Sequence, residues 1–92
     1  MATELTPTER LIRDFLLQEI LYHRQLADLG PKDMLLKDKL LDSIGVLQTV
    51  TFCEGAFDIS LPETELQPDH FETIRTIAQL VERHLSQKRV TQ

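Results

Sequence analysis

Leu40-Leu41-Asp42-Ser43-Ile44-Gly45-Val46-Leu47 is the stretch on which the reading of this chain turns. From Val46 onward, apolar residues recur at Val50, Cys53 and Phe57, which places them on one face of a 3.6-residue period. An Asp-Ser pair directly ahead of such a stripe opens a helix, and Ser43 is expected at or next to its N-cap. A hydroxyl there has two uses. It can accept a hydrogen bond from an orphan N–H of the first turn. It can also stand as an exposed attachment point, because free N–H groups and the positive end of the helix dipole favour a phosphate. The local sequence leaves both open.

Upstream, Thr6-Pro7-Thr8-Glu9 is a strong helix start, with Thr6 as N-cap, Pro7 at the first helical position and Glu9 closing a capping box. Leu11, Ile12, Phe15, Leu16, Ile20 and Leu21 then form a broad apolar face, and this first helix is expected to end near His23 or Arg24. Residues 25–41 lack that regularity. Gly30-Pro31 breaks the chain, since proline cannot continue a helix and glycine tolerates the turn. Leu26, Leu29, Leu35, Leu36, Leu40 and Leu41 recur irregularly, which predicts a long loop pinned by leucines, with a helical turn near Met34 to Lys39. Loops of this length are more often functional than filler.

Downstream, the second helix is expected from Ser43 to about Ala56, and Phe57-Asp58-Ile59-Ser60-Leu61-Pro62 ends it. Residues 63–67 read as a polar connector, and Pro68-Asp69-His70-Phe71 as one short turn with Phe71 as its apolar peg. Thr73 caps a last helix whose stripe is Ile74, Ile77, Ala78, Val81 and Leu85, flanked by Leu80. The tail from Ser86 is polar and expected to fray. No strand pattern competes. The expectation is an all-α fold, a small four-helix bundle of three long helices and one short one, with a long loop between the first and second. It forms a single domain over residues 1–92, ordered over residues 6–86.

Ninety-two residues suffice for one small domain with a thin core. Ten Lys and Arg against fifteen Asp and Glu give a net charge of −5, a surface that repels nucleic acid and anionic membrane. Cys53 is the single cysteine, so no disulfide framework exists, and a reducing compartment suits the chain. There is no basic-then-apolar leader pattern and no apolar run of membrane-spanning length. A soluble cytoplasmic monomer is expected, without nucleic acid or membrane insertion.

Catalytic constellations are poorly represented. Ser43 lacks the Gly-x-Ser-x-Gly elbow of a serine hydrolase. His23, His70 and His84 fall on or beside three different elements and read as solvated surface residues. One cysteine and no close histidine pair leave no zinc pattern, and Glu63, Glu65 and Asp69 do not have the spacing of a calcium loop. The three glycines, Gly30, Gly45 and Gly55, form no phosphate loop. The chain is not expected to be an enzyme.

The order of features around Ser43 is more telling. An Asp42-Ser43-Ile44 triplet follows a leucine-pinned loop, and Glu54-Gly-Ala-Phe57-Asp-Ile59-Ser-Leu61-Pro62 comes at a set distance after it. A short turn and an amphipathic helix ending Ile77-Ala-Gln-Leu80-Val81 complete the order. This resembles the acyl carrier protein family, which includes peptidyl and D-alanyl carrier proteins, over roughly Thr8 to Leu85. The resemblance implies that Ser43 receives a 4′-phosphopantetheine arm from coenzyme A through a separate Mg²⁺-dependent phosphopantetheinyl transferase. The arm would hold acyl or aminoacyl groups as thioesters. By the same resemblance, Asp42 would help orient Ser43 and the transferase, and Ile44 and Leu47 would be read by partners. Those partners would be an adenylating or acyl-loading enzyme and a downstream synthase, oxidase or transferase. Ordinary core packing is the alternative for Ile44 and Leu47.

Carriers of fatty-acid synthesis in that family have an acid-rich second helix. Here Gly45, Gln48, Thr49 and Thr51 stand in its first turns, and Glu54 is its one acid. Leu41-Asp42-Ser43-Ile44-Gly45 with Gln48 looks closer to D-alanyl carriers, and residues 66–74 to stand-alone aminoacyl or peptidyl carriers of natural-product pathways. A free-standing carrier in a specialised pathway is the resulting expectation. The alternative is a non-catalytic helical protein–protein interaction module in which Ser43 is only a helix cap.

Overall fold

The computed structural model describes residues 5–22 and 29–90, and within them the chain is all-helical with no strand. Helix α1 spans Pro7–Phe15 and begins as its sequence predicts. Thr6 Oγ1 accepts the Glu9 N–H at 3.1 Å, and Glu9 Oε1 accepts the Thr6 N–H at 2.9 Å, closing the capping box. After Phe15 the helix widens into a π-type turn over Leu16–Ile20, where the Leu21 N–H donates to the Leu16 carbonyl at 2.7 Å. His23 and Arg24, the expected end of this helix, lie outside the described residues, as do Leu26 and residues 1–4. Ile12 and Leu16 are fully buried, whereas Leu11, expected on the same face, is 49 % exposed.

The described part of the first connection is pinned as its leucines predict, with Leu29, Leu35 and Leu41 buried. Backbone bonds fasten it to the far end of the chain: the Leu35 N–H donates to the Glu72 carbonyl at 2.7 Å, and Arg75 N–H to that of Pro31 at 2.9 Å. One helical turn forms at residues 34–39. The Leu40 N–H returns to Leu35 and the Lys39 N–H to Leu36, the paired bonds of a Schellman ending. Lys39 occupies the left-handed position of that motif, at φ 59°, where glycine is the usual residue.

Helix α2 spans Ser43–Phe57 and ends at Asp58, which is also left-handed. The Glu54 side chain reaches forward to accept the Leu61 N–H at 2.8 Å, holding the exit of α2 against the core. Two short 3₁₀ turns follow, Glu63–Glu65 and Pro68–Phe71. The second was expected, with Phe71 buried as its peg; the first falls in the stretch read as a polar connector. Helix α3 spans Ile74–Val90, past Ser86, where the tail was expected to begin fraying; residues 91–92 lie outside the described residues. Its start is capped reciprocally by Thr73 and Thr76, each accepting the other's N–H on its hydroxyl at 3.1 Å.

Ile74, Ile77, Ala78, Leu80 and Val81 form the centre of the core, so Leu80 belongs to it rather than beside it. Helix α1 packs mainly on α3, and two polar links seal that contact. Thr8 Oγ1 donates to Glu82 Oε2 at 2.5 Å, and Arg75 Nε donates to Glu9 Oε2 at 3.3 Å. Glu9 is 4 % exposed, so its carboxylate sits in the seam between the helices with both its partners in place.

Candidate functional site

The start of α2 is built by Asp42. Its backbone is extended (φ −105°, ψ −174°), its carboxylate accepts the Gly45 N–H at 2.8 Å, and its carbonyl accepts the Val46 N–H at 2.8 Å. That is the geometry of an N-cap. Asp42 therefore takes the capping role that the sequence analysis offered to Ser43, and Ser43 falls one residue inside, at the first helical position. Gly45 makes room for this arrangement. A Cβ there would stand 2.9 Å from Leu41 Cδ1 and 3.3 Å from Asp42 Oδ1, so Leu41 and the capping carboxylate close over the bare backbone.

The consequence for Ser43 is chemical. Its side chain is exposed, and its hydroxyl makes no hydrogen bond to any described residue. The N–H groups of Ser43 and Ile44 have no intrahelical acceptor, as befits a first turn, and none among the other described residues. An unspent hydroxyl thus stands beside two unspent donors at the positive end of a fifteen-residue helix.

Ser43 lies at the rim of a groove of about 670 Å³. Leu36 and Leu41 line it from the pinned loop, Val46 and Leu47 from α2, and Leu66, Pro68 and Phe71 from the second 3₁₀ region. Lys39, Asp42 and Gln67 supply its polar groups. The groove wall at residues 66–71 was not legible as part of the site; its signal was Phe71, read only as a peg.

Ile44 and Leu47, named from the sequence as contact residues, are 67 % and 58 % exposed. Core packing, the alternative for both, is not what the structure shows. Asp42, Ser43, Ile44 and Leu47 therefore come together on the first turns of α2.

The remaining reactive groups are occupied or shut away. Cys53 is fully buried; burial first, and then the charge of Glu54, pushes its thiol up to about 12, so it is no nucleophile at neutral pH. His84 is not a solvated surface residue. Its ring is mostly covered and its Nε2 lies 3.5 Å from Glu65 Oε1, beyond good hydrogen-bond geometry but close enough to be attracted when protonated. Glu65 also pairs with Arg83. Desolvation pushes the Glu65 carboxyl up, but the hydrogen bond and charge of Arg83, with His84 beside it, outweigh it and hold the group below the usual carboxylate range. His70 is half-buried, and His23 lies outside the described residues. Among the described residues no three His, Cys, Asp or Glu side chains gather to hold a metal, and no helix is long and apolar enough to cross a membrane.

No known family model matches the chain, and no curated protein matches it.

Proposed function

We propose that this chain is an acyl or aminoacyl carrier, with a 4′-phosphopantetheine arm attached through Ser43. The observation that carries this reading is the exposed Ser43 hydroxyl, relieved of capping by Asp42 and set at the rim of an apolar groove. The residues present fit the arm. The Ser43 and Ile44 N–H groups point along the helix axis toward the position of a phosphodiester on Ser43, and the dipole favours its charge. The arm itself supplies a thiol that holds cargo as a thioester. The chain supplies a fixed attachment point, and tethering raises the effective concentration of the cargo at a docked enzyme.

The fold is consistent with the same reading: three helices, with the Pro68–Phe71 turn in the place of the short fourth one. The acid-poor α2 favours a specialised pathway, natural-product or D-alanyl in type, over bulk fatty-acid synthesis. The partners are then a phosphopantetheinyl transferase, an adenylating or acyl-loading enzyme, and a downstream synthase, oxidase or transferase. The chain performs no catalysis of its own and acts in the cytoplasm. A plain interaction module remains the rival, favoured by exposed Ile44 and Leu47 but deprived of its premise that Ser43 is the cap.

The test is intact mass after incubation with coenzyme A, Mg²⁺ and a broad-specificity transferase, beside Ser43→Ala. One arm on the wild type and none on the variant is expected. A folded wild type left unmodified by a transferase active on a control carrier removes the reading.

A further inference from the structure

Among the described residues, His84 Nε2 is the buried side-chain atom left without a hydrogen bond. Glu65 Oε1 stands 3.5 Å from it, and that same oxygen accepts from Arg83 Nη2. Glu65 closes the 3₁₀ turn Glu63–Glu65, and Leu66, Gln67, Pro68 and Phe71, which follow it, wall the groove at Ser43. We infer that His84, Glu65 and Arg83 form a proton-operated latch on this wall. With His84 protonated, the turn is drawn onto α3 and the wall is held; with His84 neutral, the wall loosens. The inference stands whether or not Ser43 carries an arm.

A neutral imidazole has no good arrangement here. With its proton on Nε2 the donor ends short of a hydrogen bond, and with its proton on Nδ1 a lone pair faces a carboxylate oxygen. Either way a buried polar atom goes unsatisfied, which costs stability. The imidazolium carries N–H on both nitrogens, so Nε2 can donate, and a bond to a carboxylate is charge-assisted. Protonation and closure of the turn are therefore linked. The charges around the ring fit this role. Glu65 faces it from the 3₁₀ turn, and Arg83 on α3 opposes the added charge but shares the carboxylate that offsets both. Helix α1 directs its charges elsewhere, Glu9 to Arg75 and Arg13 to Asp14, and Glu54 of α2 is bound to the Leu61 N–H. Asp69 and His70, on the second 3₁₀ turn, form no ion pair with a described residue. Despite its desolvation, Glu65 is held below the usual carboxylate range by Arg83, so it stays ionised across about pH 5 to 8, where imidazoles change charge. Among the described residues, residues 61–67 have two side-chain polar links to the helices, Glu54 at Leu61 and Glu65 on α3. Weakening the second frees the end that runs into the groove wall.

Amide hydrogen exchange, followed by NMR on the full chain without an arm, tests the latch. The Leu66 N–H donates to the Glu63 carbonyl at 3.0 Å and reports the closed turn. Its protection factor, corrected for the intrinsic pH dependence of exchange, is expected to fall about tenfold from about pH 5.5 to about pH 7.5 in the wild type. The fall is expected to share its midpoint with the His84 ring resonances. In His84→Gln, which takes up no proton, and in Glu65→Gln, the pH dependence is expected to vanish. His70→Gln is expected to keep it, although His70 lies closer in sequence to Phe71. Equal protection at both pH values in the wild type overturns the inference, as does a fall that survives in His84→Gln or disappears in His70→Gln. Loading of Ser43 is not part of this measurement, so failure of the carrier reading leaves the latch standing, and an absent latch leaves the carrier reading standing.

Discussion

The two helix starts at Thr6 and Asp42 solve the same problem and end in opposite states. At α1 the capping groups are spent on structure: Thr6 and Glu9 cap each other, and Glu9, itself buried, goes on to Arg75 across the α1–α3 seam. At α2 one carboxylate caps, and the next residues, Ser43, Ile44 and Leu47, are left exposed. The first is a closure that ties two helices together. The second leaves a hydroxyl, two donors and two aliphatic side chains facing outward, on a helix whose far end is firmly held by Asp58 and Glu54. Exposed aliphatics cost a small domain burial it can ill spare, which supports the proposal that the surface beside Ser43 is kept for contact.

Substitutions sharpen this contrast. The largest effect is expected at the closed end, where Glu9→Ala removes half a capping box and strands Arg75, for a loss of about 2–3 kcal/mol in urea unfolding. A loss below about 0.5 kcal/mol would show that the α1 seam is no more committed than the α2 start. Lys39→Gly relieves a left-handed lysine and is expected to stabilise by about 1 kcal/mol, because only glycine adopts that conformation without steric cost. Leu47→Ser at the open end is expected to change stability by less than about 0.5 kcal/mol, the range of exposed positions, while weakening transferase docking.

The smallest effect is pH-dependent. Glu65 is depressed in the folded state, so its contribution is present above the unfolded carboxylate range and fades as pH falls through the folded value. Glu65→Gln lacks that contribution at every pH, so its acid unfolding is expected to begin at slightly higher pH than that of the wild type. An onset at the same pH would show that the Glu65–Arg83 pair contributes no folding free energy.

Much of this architecture was written in the sequence, and the failures have physical causes. Thr6-Pro7-Thr8-Glu9 formed the box it spells, because both partners lie within one helical turn and need nothing from the rest of the chain. The α3 stripe and the leucine pins were legible for a similar reason: burial follows pattern. The identity of the α2 cap was not, since Asp and Ser are near-equal in that role and the backbone conformation at which the loop enters the helix, extended at Asp42, is not encoded in the pair itself. The groove at Ser43 was also illegible. It is walled by segments far apart in the chain, such as Leu36 with Phe71, and no local spacing encodes that meeting. His84 was misread as solvated because its cover comes from the 3₁₀ turn at Glu65, which the polar sequence Glu63-Thr64-Glu65 did not advertise.

The difference between the two helix starts rests on which residue of the Asp42–Ser43 pair is spent on structure. Thermal unfolding of Asp42→Ala and Ser43→Ala, side by side, measures this most directly. Loss of the Asp42 cap is expected to cost about 1 kcal/mol, lowering Tm by about 4–8 °C, while Ser43→Ala leaves Tm within about 2 °C of the wild type. A Tm that falls in Ser43→Ala and holds in Asp42→Ala would contradict the account, because the hydroxyl offered for attachment would then be the cap.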